Sequence, residues 1–330
     1  MPRIPRVRRR SLVFALLLAL GLAAAGAAFA ANGGVTPPSP RSPNAERIND
    51  TYYLILGITG GIFLLVETAL ILFIVRYRNR GRPRAVEGPQ VIGHTRLELI
   101  WTVVPVLILA AIAGFVFYKL PGIKDVPGAQ AGERLAIRVE GHQFYWRFVY
   151  PDGTVAVDRL RVPADRVVTM SVTAPDVVHS WWVPELGGKI DAIPGETTHT
   201  WFRARRPGVY KGKCAEFCGI QHAVMTASVE VLPRAEYARW LAERRGAATG
   251  LGEETFAGVC AKCHGARGQG GIGPALAGNR LIGDRKAIEP IIRNGTGLMP
   301  PVGRNWDDQQ LNAVIAYMGR TLREESGGGG

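Results

Sequence analysis

The segment Cys214–Met225 has the sequence CAEFCGIQHAVM and carries two cysteines, a histidine and a methionine. Thiolate, imidazole and thioether groups are soft or borderline ligands that select copper over hard cations. A mononuclear blue-copper site uses one cysteine, but a second cysteine here lies close enough for both sulfur atoms to bridge two metal ions. A second histidine comes from the upstream sequence VHSW. The pattern therefore predicts a binuclear copper centre suited to one-electron transfer. Its predicted ligands are His179, Cys214, Cys218, His222 and Met225.

Two other interpretations fit part of this segment. A pair of cysteines in an external domain commonly forms a disulfide, and zinc also accepts two cysteines with two histidines. Neither interpretation explains why Met225 closes the segment, because zinc has little use for a thioether. Copper is the preferred prediction.

A second metal motif is the sequence CAKCH at residues 260–264. Cys-x-x-Cys-His is the attachment signature of c-type haem, in which both thiols bind the haem and the histidine ligates its iron. A thioredoxin-like redox pair does not require His264, and a zinc site of the four-cysteine type requires another cysteine pair. We therefore predict covalent haem on Cys260 and Cys263, with His264 as the proximal iron ligand.

The sixth iron ligand is predicted to be a methionine, which raises the reduction potential of the haem. Met318 belongs to an apolar stripe at helical spacing, so it is predicted to pack in a core. Met299 lies in the sequence GLMPP, a rigid non-helical segment that can direct a thioether at iron. Met299 is therefore the predicted axial ligand. Both cofactors predict a location outside the cytoplasm.

Four motifs resemble subunit II of cytochrome c oxidase, and they occur in that family's order. They are GHQ at 141–143, VHSW at 178–181, DAIPG at 191–195 and the segment Cys214–Met225. The resemblance covers roughly residues 50 to 240. Residues 253–325 resemble a small class I cytochrome c. Together they resemble subunit II of a caa3-type oxidase, with a cytochrome c domain fused at its C-terminus.

The net charge of +13 is concentrated in two arginine-rich segments beside apolar runs. One precedes the apolar run of residues 12–30, and the other fills residues 76–96. Arginines in these places indicate membrane topology rather than a phosphate-binding surface. We therefore expect membrane lipid, and no nucleic acid, among the partners of this chain.

The apolar runs predict a membrane-anchored protein. Residues 1–30 have the pattern of a signal peptide, with an uncleaved anchor as the alternative, and residues 31–51 are predicted to be a flexible external N-terminus. Two runs within 52–120 are long enough to cross a bilayer, and the arginine-rich residues 76–96 between them are predicted to be cytoplasmic. The C-terminal domains are then external, and the expected location is the bacterial inner membrane with two spans.

Two carboxylates fall within these spans, where acidic residues are costly and often functional. Glu98 is near the cytoplasmic end of the second span, where an acid can also reach water by extending its side chain. Glu67 falls in the middle of the first span and is expected to face protein. Its role is open.

Strand-like alternation and turn residues over 134–232 predict an antiparallel β-sandwich, and a short helix is predicted over 234–244. Together with the copper loop, this pattern is typical of a cupredoxin-like domain, which is predicted over 121–244. Residues 245–252, rich in glycine and alanine, are predicted to be a flexible linker. An all-α class I cytochrome c domain is expected over 253–325, and the glycine-rich residues 326–330 are predicted to be disordered. The predicted fold class is a multidomain membrane protein with a transmembrane hairpin, a sandwich and a cytochrome domain.

The resemblance implies further roles. Glu216 is expected to offer its backbone carbonyl to copper and its side chain to Mg²⁺ or Mn²⁺ shared with subunit I, although a solvated loop glutamate is the simpler alternative. Glu98 matches a position where protons enter subunit I. Phe144 departs from the family, which commonly has a tryptophan there that accepts electrons from a separate cytochrome c. The implied partners are subunits I and III, with a cytochrome c or another reductase as donor.

The sequence thus predicts an electron-input subunit of a haem-copper oxidase, which passes electrons from its own haem through CuA to subunit I. Reduction of O₂ with proton pumping belongs to subunit I, which carries haem a and haem a3/CuB. Two alternatives remain at this point. The same module fits a haem-copper nitric oxide reductase, and a membrane-tethered copper chaperone can also carry Cys-x3-Cys with a distant histidine.

Overall fold

The structure is a computed structural model that describes residues 36–78, 92–128, 134–246 and 248–324. The chain divides between Ser39 and Pro40; residues 36–39 have no helix or strand, and the described elements follow in the second unit. The predicted signal peptide, most of the predicted cytoplasmic loop and the C-terminal tail lie outside the described residues.

Two long helices open the second unit, α1 at Pro43–Tyr77 and α2 at Thr95–Lys124. Both are long and apolar enough to cross a membrane. Lys119 near the end of α2 forms an ion pair of 2.7 Å with Asp50 near the start of α1, so the helices form an antiparallel hairpin. The prediction of a hairpin of two helices able to span a membrane is confirmed.

The N-terminal flank of α1 is more ordered than predicted. The prediction that 31–51 is flexible is wrong for its second half, because α1 begins at Pro43. Asn44 is buried and donates a hydrogen bond of 2.7 Å to the carbonyl of Trp201 in the sandwich. Polar residues at the start of α1 lower its hydropathy, and this hides a helix end that a proline at the first turn favours.

After the hairpin, the described residues form ten strands in two sheets, with a short 3-10 turn at His222–Val224 between the last two strands. The strands are β1 Arg134–His142, β2 Tyr145–Val149, β3 Val155–Val157, β4 Arg159–Pro163, β5 Val167–Thr173, β6 His179–Trp182, β7 Ile190–Ala192, β8 Thr198–Phe202, β9 Gly208–Cys214 and β10 Thr226–Leu232. One sheet has the order β3-β2-β1-β5-β8, and the other has the order β4-β10-β9-β6-β7. The predicted sandwich is confirmed.

The prediction that the sheets are antiparallel is wrong for two strand pairs. β1 pairs with β5 in parallel, and so does β4 with β10. Alternation of apolar residues shows which face of a strand is buried, but it carries no information about the direction of the neighbouring strand. The apolar faces of both sheets meet in a core where Trp181 makes edge-on ring contacts with Trp146 and Phe148, at centroid distances of 5.2 and 5.4 Å.

The C-terminal region is helical, as predicted. Its elements are α3 Arg234–Gly246, α4 Ala248–Thr255, a π-helical turn Phe256–Cys260, α5 Ala261–His264, α6 Arg285–Asn294 and α7 Asp308–Glu324. The predicted apolar stripe lies on α7, where Leu311, Val314 and Met318 are buried in the core of this domain.

The predicted flexible linker over 245–252 is wrong for its described part. Residues 248–252 form the first turns of α4, and Leu251 is buried. Gly252 lies so close to the Ala313 carbonyl of α7 that a side chain would not fit. Small residues permit this close approach, and in the sequence the same composition resembles a linker. Residue 247 lies outside the described residues.

Candidate metal centres

The loop between β9 and β10 folds back on itself at the end of the sandwich. Cys214 ends β9, and its backbone N–H donates to the carbonyl of Met225 across the loop at 2.9 Å. β6 pairs with β9 so that Trp181 lies opposite Cys214. This register brings His179, at the start of β6, to the loop from a distant part of the chain.

The predicted copper ligands are brought together. The two sulfur atoms of Cys214 and Cys218 are 4.0 Å apart, and His179 Nδ1 is 4.0 Å from Cys214 Sγ. Cys218 Sγ lies 3.6 Å from His222 Nδ1 and 3.7 Å from Met225 Sδ. The ligand atoms of His179, Cys214 and Cys218 all fall within 4.8 Å of one another. The side chains therefore converge on one small volume.

His179 is oriented by a residue that the sequence reasoning missed. Asp176 Oδ1 lies 2.9 Å from His179 Nε2, and its Oδ2 accepts a hydrogen bond of 2.7 Å from the backbone of Gln143. A carboxylate on one imidazole nitrogen fixes the tautomer and leaves the other nitrogen free for a metal. The sequence signal that could have identified Asp176 was its position three residues before the candidate ligand His179.

The thiols have opposite electrostatic surroundings. Burial tends to raise the pKa of Cys214, but hydrogen bonds from His179 and the loop backbone outweigh it and lower that pKa to about 7. Burial and the negative charge of Cys214 raise the pKa of Cys218. In the absence of metal the pair thus favours a single thiolate. A metal cation stabilises both thiolates, because ligating thiols are deprotonated.

This donor set fits copper. The sulfur separation of 4.0 Å is about twice a disulfide bond. Met225 is fully buried with its thioether directed at Cys218, and thioethers favour copper over zinc. The Glu216 carbonyl oxygen is 3.2 Å from Cys214 Sγ, within the same donor cluster, whereas the Glu216 residue is exposed. The backbone carbonyl of Glu216 therefore lies among the donor atoms, and its two expected roles remain predictions.

The haem attachment motif occupies the π-helical turn and α5. His264 is buried, and its Nδ1 lies 2.7 Å from the carbonyl oxygen of Pro274. That contact leaves Nε2 as the nitrogen available to iron. A Cβ at Gly273 would lie 2.7 Å from His264 Cε1, so the imidazole packs against a position that needs glycine. With both cysteines as free thiols, the residues fit a c-type haem.

The two candidate axial methionines differ in their surroundings. Met318 is 3% exposed within the core of α7, as the helical stripe predicted. Met299 is partly exposed in the loop after α6, where its backbone exchanges hydrogen bonds of 2.9 and 3.1 Å with Thr296. Only Met299 therefore has the loop setting expected of the axial ligand.

The haem motif touches the copper loop directly. Gln221 Nε2 lies 3.8 Å from Cys263 Sγ and 3.5 Å from the Lys262 carbonyl oxygen. Lys262 Nζ in turn donates to the carbonyl of Phe144 at 2.8 Å. Gln221 directly precedes the predicted copper ligand His222, so this glutamine lies between the two candidate centres. No local pattern in the sequence indicated this contact.

A buried polar network holds the remainder of the cytochrome domain on the sandwich. Tyr145 donates to the Val302 carbonyl at 2.7 Å and accepts from Trp306 Nε1 at 2.8 Å. Arg147 is buried and reaches three acceptors, each at 3.0 Å. They are Glu140 in the sandwich and Asp307 and Gln310 beside and on α7. The cytochrome domain is therefore docked rather than loosely tethered.

The membrane carboxylates have different settings. Glu98 lies in the first turn of α2, where its Oε1 accepts a hydrogen bond of 3.0 Å from the backbone of His94. His94 Nδ1 accepts one of 3.2 Å from the backbone of Leu97, so the pair caps the helix reciprocally. Glu67 is exposed on α1.

Three parts of the chain match known protein families. Residues 31–118 match the family "Cytochrome C oxidase subunit II, transmembrane domain", and residues 154–232 match "Cytochrome C oxidase subunit II, periplasmic domain". Residues 247–318 match "Cytochrome C oxidase, cbb3-type, subunit III", the match that covers the haem motif. The membrane and sandwich domains thus match one protein family in order.

Individual relatives extend these matches. "Cytochrome c oxidase subunit 2" of Alkalihalophilus pseudofirmus is 34% identical over 323 residues, covering 88% of this chain and 91% of the relative. The protein of the same name from Cereibacter sphaeroides is 32% identical over 253 residues, covering 65% of this chain and 81% of the relative. Among solved structures, the periplasmic domain of subunit II of cytochrome oxidase from Bradyrhizobium japonicum is 33% identical, with a TM-score of 0.34, and covers 37% of this chain and 97% of that chain.

The first relative is 34% identical to this chain and is aligned over most of the length of both proteins. The chain therefore belongs to the cytochrome c oxidase subunit II family, and it carries a cytochrome c domain at its C-terminal end.

Proposed function

We propose that this chain accepts electrons at its own haem c and passes them through CuA to subunit I, where O₂ is reduced to water with proton pumping. The chain is an oxidase subunit, and its domains imply copper and haem. When bound, each centre takes up and releases one electron at a time. The chain itself holds the two centres at a fixed separation.

The contact between Gln221 and Cys263 carries this proposal. Gln221 is buried and lies 3.8 Å from the haem-attaching sulfur, and the next residue is the copper ligand His222. A donor docked at this distance needs no diffusional encounter. The effective concentration of a tethered donor is already of millimolar order, and docking removes the search altogether.

Electron transfer within one chain gives a kinetic test. In the full-length protein with haem and copper bound, a light pulse and an external photoreductant reduce the haem, and absorbance follows its reoxidation. We expect a rate that is independent of protein concentration, with matching reduction of the copper. An EPR signal from one spin shared by two copper ions is expected in the oxidised protein. A rate that rises in proportion to concentration contradicts the proposal, as does a single-copper signal.

Met299 is proposed as the axial ligand opposite His264, with Cys260 and Cys263 as the covalent attachment. We expect Met299→Leu to lower the haem reduction potential and change the haem spectrum, because a methionine ligand raises the potential. The matched control is Met318→Leu, which exchanges a buried core thioether for a side chain of similar volume and leaves the spectrum unchanged. Redox titration of both variants decides between the two methionines.

The exposed end of the copper loop is proposed to face subunit I. Phe217 and Ile220 are 77% and 80% exposed beside Glu216, and exposed apolar residues at one place favour a protein interface. There the Glu216 carboxylate is proposed to bind Mg²⁺ or Mn²⁺, and its carbonyl to contact copper.

Glu98 is proposed to admit protons to subunit I, in addition to capping α2. Glu98→Gln should slow turnover of the assembled oxidase without changing the haem-to-copper rate.

The location and the other partners follow from the same proposal. Two apolar helices and the matched periplasmic domain support a two-span protein of the bacterial inner membrane with external C-terminal domains. Subunit III and a cytochrome c or another reductase complete the proposed set of partners. The hairpin of two apolar helices and the β-sandwich do not match a copper chaperone with one membrane span and a thioredoxin-like domain. The names of the relatives favour O₂ over nitric oxide as acceptor.

A further inference from the structure

The side chain of Lys262 joins the haem motif to the copper domain. Lys262 lies between the two haem-attaching cysteines, at a position with no part in covalent attachment. Its Nζ lies 2.5 Å from Asp158 Oδ2 and 2.8 Å from the Phe144 carbonyl oxygen. The side chains of Lys262 and Asp158 are only 14% and 19% exposed, so this ion pair is largely removed from water.

The acceptors of Lys262 are themselves held in place. Asp158 Oδ1 accepts a hydrogen bond of 2.8 Å from the backbone N–H of Trp146, which leaves Oδ2 for the ammonium group. Burial raises the pKa of Asp158 to about 6, although Lys262 acts in the opposite direction. The short distance between the two groups shows that they are paired.

The second acceptor belongs to the segment that supports the copper loop. Gln143 Nε2 donates to the Cys218 carbonyl at 2.7 Å. A Cβ at Gly219 would lie 3.0 Å from the ring of Phe144. A displacement of the Phe144 segment would therefore be transmitted to a copper ligand. Lys262 thus binds to Phe144, which directly follows Gln143, the residue whose side chain holds the copper loop.

Lys262 contacts the copper domain through two of its groups. Its ammonium reaches Asp158 and Phe144, and its backbone carbonyl faces Gln221 Nε2 at 3.5 Å. Two attachments on one residue limit both the position and the rotation of α5. Other contacts, such as those of Tyr145 with Val302, hold more distant parts of the cytochrome domain. Loss of the ammonium therefore affects α5 locally and leaves the domain docked.

We propose that Lys262 is a positioning residue that holds the haem-attachment helix against the copper loop, by placing its ammonium group between Asp158 and the Phe144 carbonyl oxygen. It thereby maintains the contact between Cys263 and Gln221. This role rests on the proposed transfer of electrons between the two centres. In this proposal Lys262 of the cytochrome domain and Asp158 of the copper domain together control the relative orientation of the two metal sites.

The test uses the full-length protein with both cofactors and compares Lys262→Met and Asp158→Asn with wild type. Removing one member of a largely buried pair leaves the other without its partner. We expect the haem-to-copper rate to fall at least about tenfold in each variant, which corresponds to ~1.4 kcal/mol. The haem absorption and copper EPR spectra should remain unchanged. The control is Lys286→Met, an exposed lysine of the cytochrome domain, which should transfer electrons like wild type.

Backbone hydrogen exchange gives a readout that does not depend on electron transfer. We expect faster exchange in residues 258–264 of both variants, with unchanged exchange in α7. Asp158→Asn leaves the haem motif intact, so it remains informative if Lys262→Met impairs haem attachment. Partial recovery of the rate and exchange in a Lys262→Asp, Asp158→Lys double variant would support a direct pairing.

The outcomes separate this role from the proposed function. If wild type does not transfer electrons from haem to copper, the proposed function fails. If wild type transfers them and both variants match it in rate and in exchange, the positioning role of Lys262 is overturned while the function stands. Equal slowing by Lys286→Met would also overturn it, since a general loss of positive charge would then explain the effect.

Discussion

Cys218→Ser is expected to abolish electron delivery through the copper domain while leaving haem attached to the same chain. Cys218 Sγ lies 3.6 Å from His222 Nδ1 and 3.7 Å from Met225 Sδ. A serine hydroxyl is a harder donor than a thiolate and binds copper poorly. Loss of an outer-shell partner typically costs about 10- to 100-fold in metal affinity or activity, and loss of this predicted ligand should cost more.

Metal analysis, EPR and the photoreduction experiment measure this effect together. We expect fewer than two copper ions per haem, loss of the shared-spin signal and no reoxidation of the haem by copper. The unchanged haem absorption of the variant is its internal control for folding. Met225→Leu is a second control, because the axial thioether is the weak ligand and copper should still bind. Retention of two coppers with a shared spin in Cys218→Ser would contradict the ligand assignment.

Arg147→Met is expected to destabilise the docked cytochrome domain. The guanidinium is buried and pairs with Glu140 in the sandwich, and it also reaches Asp307 and Gln310 of the cytochrome domain. Removing one member of a buried network leaves the others unpaired, which typically costs about 3–5 kcal/mol. Denaturant unfolding of the full-length protein should show this loss.

Arg138→Met, on the neighbouring strand β1, is the matched control. Arg138 also pairs with Glu140, at 3.0 Å, but its side chain is 58% exposed. Exposed ion pairs contribute about 0–1 kcal/mol, so this variant should unfold close to wild type. Equal effects of the two substitutions would show that Arg147 acts through charge alone rather than through the buried interface.

The same network predicts that the stability of the folded protein decreases at acidic pH. Burial acts to raise the pKa of Glu140, but His142 and Arg147 outweigh it and lower this pKa from 4.5 to about 2. Because the folded pKa lies below the unfolded value, the stabilisation is complete above pH 4.5 and is lost as the pH falls towards 2. Arg147→Met should move this loss to higher pH, which unfolding measured as a function of pH will detect.

Local spacing explains why the copper donors could be predicted. Four of the five predicted side-chain ligands lie within Cys214–Met225, so a single loop brings them together in any fold that allows it to close. The haem motif is equally local, since Cys260 ends the π-helical turn and Cys263 and His264 end the short helix α5 that follows it. His179 lies 35 residues before Cys214, and its assignment relied on its chemistry and on family resemblance.

The errors arose where neighbouring elements in space, rather than in sequence, determine the structure. Residues 248–252 have the composition of a flexible linker, but α7 provides a surface on which they pack as a helix. The parallel pairing of β1 with β5 was also missed, because the residues of a strand encode its buried face and not the direction of its neighbour.

The amino-acid sequence by itself determined the donor types and their spacing, the two membrane-spanning helices and the family, because each depends on residues close together in the chain or on an ordered series of motifs. Only the tertiary structure decided that the cytochrome domain is docked, with Lys262 on Asp158 and Gln221 on Cys263. These partners are 104 and 42 residues apart, and no local pattern encodes which distant side chains will meet once two separate cores have packed together.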